Sequence, residues 1–151
     1  MNIAYQDVYF PSADGTILHG WYLPASGDPK GSFLFAHGNA ENISTHLASV
    51  YWLPSKGYNV FLFDYRGYGL SEGVPSLEGA VQDFDAALKT LLQRYEKNKT
   101  KHIIVFGQSL GGALAIYSTA TSHYNGSVDV IIVESTFASY RDIAQDKFAG
   151  F

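Results

Sequence analysis

The stretch Ile103–Tyr117, IIVFGQSLGGALAIY, joins an apolar run to a serine flanked by glycines and then to a second apolar segment. The run IIVF is typical of a strand buried on both faces of a sheet, and the segment after the serine has a helical pattern. Gly107, Ser109 and Gly111 fit the pattern G-x-S-x-G, in which a sharp strand-to-helix turn exposes a nucleophilic serine. The stretch therefore predicts an α/β fold with Ser109 as the candidate nucleophile.

Further apolar runs of the same kind occur on both sides of this stretch. They cover residues 32–36, 59–63 and 130–133, and they lack the strict alternation of a half-exposed strand. An N-terminal pair of strand-like segments, YQDVYF and ILHGWYLP, is separated by SADGT, where Asp14-Gly15 predicts a hairpin turn. The order predicts a mostly parallel sheet preceded by an antiparallel hairpin.

Helical patterns separate these runs. The clearest spans residues 75–95, with its apolar residues on one stripe and Ser76 as the predicted cap. A shorter helix is predicted over 44–53, and a third begins at Ser109. In a parallel sheet the functional site forms at the carboxyl ends of the strands, so the segments that follow each run are expected to carry the chemistry.

Composition excludes several classes of function. The chain has 151 residues, a net charge of −4 and no lysine or arginine run, so we expect no nucleic-acid partner. It contains no cysteine, which excludes disulfides and thiolate metal sites. No apolar run approaches the roughly 20 residues that span a bilayer, and the N-terminus does not have the pattern of a signal peptide. We therefore expect a cytoplasmic protein without a membrane span.

The segment His37-Gly38-Asn39-Ala40 follows the first parallel strand, where a second oxyanion donor is expected. Gly38 allows the backbone to turn, so the Asn39 N–H is the candidate donor beside the Leu110 N–H. His37 is interpreted as a residue that shapes this loop, because a structural histidine is the simpler explanation at this position.

Three further interpretations concern residues around the predicted site. Gln108 and the two flanking glycines shape the turn, although a glycine-rich turn with an idle serine is the alternative. Asp64 resembles a catalytic acid, but a buried ion pair with Arg66 is the preferred hypothesis. Glu134 ends the last apolar run on the catalytic side, and we interpret it as a residue outside the triad.

Five segments, ADGTILHGWYLP, HGNAEN, FDYRGYGLSEG, FGQSLGG and VESTFASY, together resemble the esterase and thioesterase branch of the α/β-hydrolase superfamily. The resemblance implies a three-layer α/β-hydrolase fold and the hydrolysis of a small-molecule ester or thioester by a Ser–His–Asp triad. Ser109 would be the nucleophile, and Asn39 and Leu110 would form the oxyanion hole. No metal or cofactor is implied. Dehalogenases and epoxide hydrolases would need an aspartate at position 109, whereas peptidases and perhydrolases remain open.

The triad partners have no matching context in these residues. In the family the acid and the histidine follow later strands, in the order Ser, Asp, His. We therefore expect residues 1–151 to be the N-terminal part of one domain, with a sheet truncated after about the sixth strand and a cap that begins near residue 136. Among the histidines only His37 is expected on the catalytic side, since His46 lies in the first predicted helix and His123 at the far end of the third.

An incomplete sheet has a consequence for partners. The run 130–133 is predicted to be an apolar edge strand, which a second chain or a second copy is expected to cover. The alternative function is an inactive, truncated hydrolase that serves as an interaction or assembly module.

Overall fold

The computed structural model describes residues 2–40, 42–95 and 102–136. The strands of this part are β1 (Gln6–Pro11), β2 (Ile17–Leu23), β3 (Gly31–Ala36), β4 (Tyr58–Phe63), β5 (Ile103–Gln108) and β6 (Val130–Glu134). The α-helices are α1 (Ile43–His46), α2 (Leu77–Thr90) and α3 (Leu110–Thr121).

The six strands form one mixed sheet in the order β1-β2-β4-β3-β5-β6. β2 is antiparallel to both β1 and β4, whereas β3 is parallel to β4 and β5, and β5 is parallel to β6. This topology confirms the prediction of a mostly parallel sheet preceded by an antiparallel hairpin. The hairpin turn is closed by the Ser12 N–H, which donates to the Thr16 carbonyl at 2.8 Å. Gly15 has φ 88°, a conformation that glycine adopts without a steric penalty.

Apolar side chains cover both faces of the sheet, as a three-layer fold requires. On one face the sheet packs against α2 and α3 through a buried cluster that includes Phe10, Leu18, Phe61, Phe63, Phe84 and Leu114. On the other face it packs against α1 and the turns after it through Phe33, Phe35, Leu62, Ile43, Val50 and Leu53. The central strands β3 and β4 are therefore buried on both sides, which explains why their sequences lack alternation.

The long helix is confirmed, and its cap is the predicted one. The Ser76 hydroxyl oxygen accepts a hydrogen bond from the Gly79 N–H at 3.0 Å, and the helix ends in a π-type turn over Leu91–Tyr95. The prediction of a continuous helix over 44–53 is wrong. α1 has one turn, and Val50 leaves the helical region at φ −131°. Burying both Val50 and Leu53 under the sheet outweighs the local helical preference of this segment.

β6 is an edge strand in the described part of the chain. All five of its residues are exposed, and the side chains of Val130, Ile131, Ile132 and Val133 are between 38 and 47% exposed. This is the apolar edge that the sequence predicts. The predicted cap beginning near residue 136 lies outside the described residues after Thr136.

Candidate active site

The turn between β5 and α3 holds Ser109 in an unusual conformation. Its backbone has φ 51° and ψ −118°, a combination that L residues rarely adopt. Serine at a helix N-cap usually accepts a hydrogen bond from the first turn, but the Ser109 side chain makes no such bond. The strained backbone thus turns the hydroxyl away from the helix instead of using it as a cap.

The flanking glycines are needed because backbone approaches them closely. A Cβ added to Gly107 would lie 2.4 Å from the Gly111 carbonyl oxygen, and one added to Gly111 would lie 2.0 Å from the Ala36 carbonyl oxygen. Both obstacles are main chain, which cannot rotate aside. The two glycines therefore let the start of α3 pack directly against the ends of β3 and β5.

Hydrogen bonds from the end of β6 hold the turn in place. The Ser109 N–H donates to the Glu134 carbonyl at 2.9 Å, and the Thr136 hydroxyl donates to the Ser109 carbonyl, also at 2.9 Å. The Gln108 amide donates to the Glu134 carboxylate at 2.6 Å and accepts from the Ser49 hydroxyl at 3.1 Å. The predicted site-shaping residue Gln108 thus links β6 to the segment after α1.

An open cleft of about 930 Å³, measured with its mouth, lies above the carboxyl ends of β3, β5 and β6. It is lined by Gly38, Asn39, Ala40, His46, Gln108, Ser109, Glu134 and Ser135. Leu110 is the first residue of α3, so its N–H has no carbonyl acceptor one turn earlier in the helix. The structure therefore brings Ser109, Asn39 and the Leu110 peptide group to one place, as the sequence predicts, while their catalytic roles stay predictions.

The loop that carries Asn39 is braced by its side chain. The Asn39 Oδ1 accepts hydrogen bonds from the Tyr68 hydroxyl at 2.7 Å and from the Ala40 N–H at 3.0 Å. Ala40 has φ 66°, again in the left-handed region. Burial raises the pKa of the Tyr68 hydroxyl, so the hydroxyl keeps its proton and remains a donor to Asn39 near neutral pH.

His37 is fully buried below the cleft. Its Nδ1 lies 2.7 Å from the Gly38 carbonyl oxygen, so Nδ1 carries a proton, and its Nε2 lies 3.1 Å from Asp64 Oδ1 without hydrogen-bond alignment. Asp64 Oδ1 also accepts from the Ile43 N–H at 3.0 Å, which joins β4 to α1. These contacts support a structural role for His37, and that role stays a prediction.

The hypothesis of an Asp64–Arg66 ion pair is wrong. Arg66 pairs instead with the buried Asp83 at 2.8 Å and with Asp14 at 2.7 Å, and its Nη2 also donates to the Ser12 hydroxyl. Hydrogen bonds to Asp83, followed by those to Asp14, raise the pKa of Arg66. The side chain points from the end of β4 towards α2 and the hairpin, whereas Asp64 points towards α1.

His46 also differs from expectation, because it lines the Ser109 cleft. Its ring stacks on that of His37, with centroids 5.1 Å apart and planes 21° apart. The Asn42 side chain accepts from the Ser44 N–H at 2.9 Å and caps α1, which begins at Ile43, one residue earlier than predicted. The capping pattern Asn42-x-x-Thr45 signals that start in the sequence, but no local pattern shows which side of the sheet α1 covers.

Residues 2–40, 42–95 and 102–136 contain neither a cluster of potential metal ligands nor a membrane-spanning helix. No group of three or more His, Cys, Asp or Glu residues there has the arrangement of a metal site. No helix in these ranges has the length and apolar character needed to cross a membrane.

The mixed sheet, the glycine-flanked turn and the cleft above it define an α/β hydrolase. The family model that matches the chain is described as serine aminopeptidase, S33, and it matches residues 27–149. The chain belongs to this family of the α/β-hydrolase superfamily.

Curated relatives match nearly the whole chain. Protein YfhR of Escherichia coli (strain K12) is 40% identical over 149 residues, which cover 96% of this chain and 52% of the relative. The alpha/beta hydrolase domain-containing protein WAV2 of Arabidopsis thaliana is 40% identical over 146 residues, covering 95% of this chain and 46% of its own length. The chain therefore spans about half the length of the curated relatives it matches.

Solved structures share the fold. The Pyrococcus furiosus esterase Pf2001 superposes with a TM-score of 0.80 at 25% identity, covering 99% of this chain and 57% of the esterase. A monoglyceride lipase variant from Saccharomyces cerevisiae superposes with a TM-score of 0.77 at 19% identity, covering 97% and 48% of the two chains.

Proposed function

We propose that this chain carries the nucleophile and the oxyanion hole of a serine hydrolase that cleaves a carboxylic ester or thioester. The observation that supports the proposal most is the conformation of Ser109, strained at φ 51° in the floor of the cleft and not used as a helix cap. Strain of this kind is retained where function requires it. The name of the similar Pyrococcus furiosus protein, an esterase, favours ester substrates.

In the proposed reaction the Ser109 oxygen attacks the acyl carbonyl carbon while a histidine removes the hydroxyl proton. The carbonyl oxygen becomes an oxyanion that accepts hydrogen bonds from the Asn39 and Leu110 N–H groups. Its collapse expels the alcohol or thiol, which receives the proton, and leaves an acyl group on Ser109. Water then hydrolyses the acyl-enzyme by the same steps.

The histidine and aspartate that complete the triad are expected from a segment outside these 151 residues. His46 and Glu134 are the titratable side chains that the described residues place in the cleft, and they are the alternatives within the chain. The sheet edge at β6 is the proposed place where a second chain or a second copy completes the domain. The cytoplasmic location stays a prediction of the sequence.

Hydrolysis of p-nitrophenyl butyrate tests the proposal, together with labelling of Ser109 by a fluorophosphonate followed by intact mass. With the segment that supplies the triad histidine and aspartate present, we expect both reactions in the wild-type protein and neither in Ser109→Ala. His46→Ala and Glu134→Gln show whether these two residues act as the base or the acid. Turnover falls in these variants only if the substituted residue takes part in the reaction. The proposal fails if both reactions are absent when the segment that completes the triad is present, or if both persist in Ser109→Ala.

A further inference from the structure

The segment Glu134-Ser135-Thr136 contacts the Ser109 turn through its main chain and through the Thr136 hydroxyl, and the proposed reaction assigns no role to these two contacts. The Ser109 N–H donates a hydrogen bond to the Glu134 carbonyl at 2.9 Å. The Thr136 hydroxyl donates a hydrogen bond to the Ser109 carbonyl, also at 2.9 Å. The segment thus binds the backbone on both sides of the Ser109 side chain. The contact made by Thr136 is a side-chain contact, so it can be removed without changing the main chain.

The Ser109 carbonyl and the Leu110 N–H belong to the same peptide unit. The unit is planar, and in the trans form its C=O and N–H bonds point in opposite directions. A hydrogen bond that holds the carbonyl towards Thr136 therefore holds the Leu110 N–H pointing in the opposite direction within the same plane. A hydrogen bond to the carbonyl also polarises the peptide, which makes its N–H a stronger donor.

Helix α3 does not fix this peptide unit by itself. The Ser109 carbonyl accepts from the Gly112 N–H at 3.0 Å and from the Ala113 N–H at 3.4 Å, and the second distance is long for such a bond. The backbone of Ser109 is in a strained region, and such a conformation persists only where the surrounding contacts hold it. The Thr136 hydroxyl supplies a third and shorter contact from outside the helix.

Gly112 leaves the space that Thr136 occupies. A Cβ added to Gly112 would lie 2.7 Å from both Cβ and Oγ1 of Thr136. The glycine after the G-x-S-x-G pattern thus lets the threonine approach the Ser109 carbonyl. Gly112 and Thr136 are 24 residues apart in sequence, yet they pack directly against each other at this contact.

We propose that Thr136 is a positioning residue of the oxyanion hole: its hydroxyl orients the Ser109–Leu110 peptide so that the Leu110 N–H faces the developing oxyanion. The inference rests on the proposed function, because an oxyanion hole at the Leu110 N–H exists only if Ser109 is the nucleophile of a hydrolase. Thr136 itself does not touch the substrate.

Comparison of Thr136→Val with Thr136→Ser distinguishes the effect of the hydroxyl from the effect of side-chain size. Valine keeps the shape and lacks the donor, whereas serine keeps the donor. We expect the second-order rate constant for fluorophosphonate labelling of Ser109 to fall about tenfold in Thr136→Val, the upper range for one lost hydrogen bond. Thr136→Ser should restore most of the rate.

Thr121→Val is the matched control. The Thr121 hydroxyl also donates to a main-chain carbonyl, that of Tyr117 at 3.0 Å, but at the other end of α3. Loss of that bond should leave the labelling rate unchanged. The inference is overturned if Thr136→Val labels like the wild type, or if Thr136→Ser is as slow as Thr136→Val.

NMR decides the inference even if Ser109 proves unreactive, in which case the proposed function fails separately. Loss of the hydroxyl should shift the Ser109 carbonyl carbon and the Leu110 amide resonances in Thr136→Val, and Thr136→Ser should return them towards their wild-type positions. Unchanged resonances in Thr136→Val would show that the hydroxyl does not orient this peptide.

Discussion

Gly111 lies where the first turn of α3 meets the end of β3. A methyl group at this position would stand 2.0 Å and 2.5 Å from the carbonyl oxygens of Ala36 and His37. Relief of the clash requires α3 to move away from the sheet. We expect Gly111→Ala to lower the free energy of unfolding by about 3 kcal/mol or more, as measured by urea denaturation.

Gly126→Ala is the control for this prediction. A Cβ at Gly126 would have no atom within 4 Å, and its backbone is not in the left-handed region. We expect a change within about 0.5 kcal/mol. Equal stability of the two variants would contradict the view that close packing, and not general flexibility, requires glycine at position 111.

At the scale of elements, the Arg66 network joins the hairpin, the end of β4 and α2. Asp83 on α2 is fully buried, and it accepts hydrogen bonds from the Ser12 hydroxyl, the Arg66 main-chain N–H and the Arg66 guanidinium. Asp83→Asn would remove the buried carboxylate partner of the Arg66 guanidinium and leave it paired with the partly exposed Asp14. We expect a loss of about 3 kcal/mol in the free energy of unfolding, as for other buried pairs broken on one side.

Glu78→Gln tests whether any lost acid on α2 has this effect. Glu78 is exposed in the first turn of the same helix, where its charge favours the helix dipole. We expect a cost of about 0.5 kcal/mol there. If Asp83→Asn lowers the free energy of unfolding by no more than Glu78→Gln does, the Arg66 network contributes little to holding the hairpin, β4 and α2 together.

Asp14 makes the attachment of the hairpin turn depend on pH. Hydrogen bonds from Thr16, and then from Arg66, lower the pKa of Asp14 below its usual value of 3.8. A carboxylate with a lowered folded-state pKa stabilises the fold above pH 3.8, and this contribution is lost as the pH falls through its folded-state value. We expect Asp14→Asn to be less stable than the wild type at pH 7 and closer to it at about pH 3.

Urea denaturation at both pH values measures this difference, with Asp28→Asn in the exposed loop before β3 as the control. The control should keep the same small difference from the wild type at both pH values. The proposed dependence of stability on Asp14 ionisation is contradicted if the difference in unfolding free energy between Asp14→Asn and the wild type is as large at about pH 3 as at pH 7.

At the scale of the whole molecule, β6 is the outermost strand of the sheet that the described residues form. Parallel strands are normally covered on both faces, yet every residue of this strand is exposed among the described residues. We expect concentration-dependent association in sedimentation velocity, and we expect Ile132→Lys to weaken it, because a charge at an edge strand opposes pairing.

Val74→Lys provides the comparison, since Val74 is an exposed apolar residue in the loop before α2 and far from β6 in sequence. That substitution should leave association unchanged. A wild-type chain that stays monomeric at all concentrations would exclude self-association as the way this edge is covered.

The sequence by itself determined the order of the elements, the hairpin turn at Asp14-Gly15 and the strand–serine–helix turn at Ser109. These features depend on residues close together in the chain, where hydrophobic pattern and glycine geometry act locally. Because parallel strands end at the same edge of a sheet, the sequence also predicted that Asn39 and Ser109 would lie in one cleft.

Only the tertiary structure decided the partners across elements. Arg66 pairs with Asp83 and Asp14 rather than with Asp64, because its side chain lies towards α2 and the hairpin, whereas the Asp64 carboxylate accepts from the Ile43 N–H at the start of α1. His46 reaches the cleft because α1 covers the second face, and Thr136 meets the Ser109 carbonyl because β6 pairs with β5. Contacts of this kind are set by packing between distant segments, for which the sequence carries no local pattern.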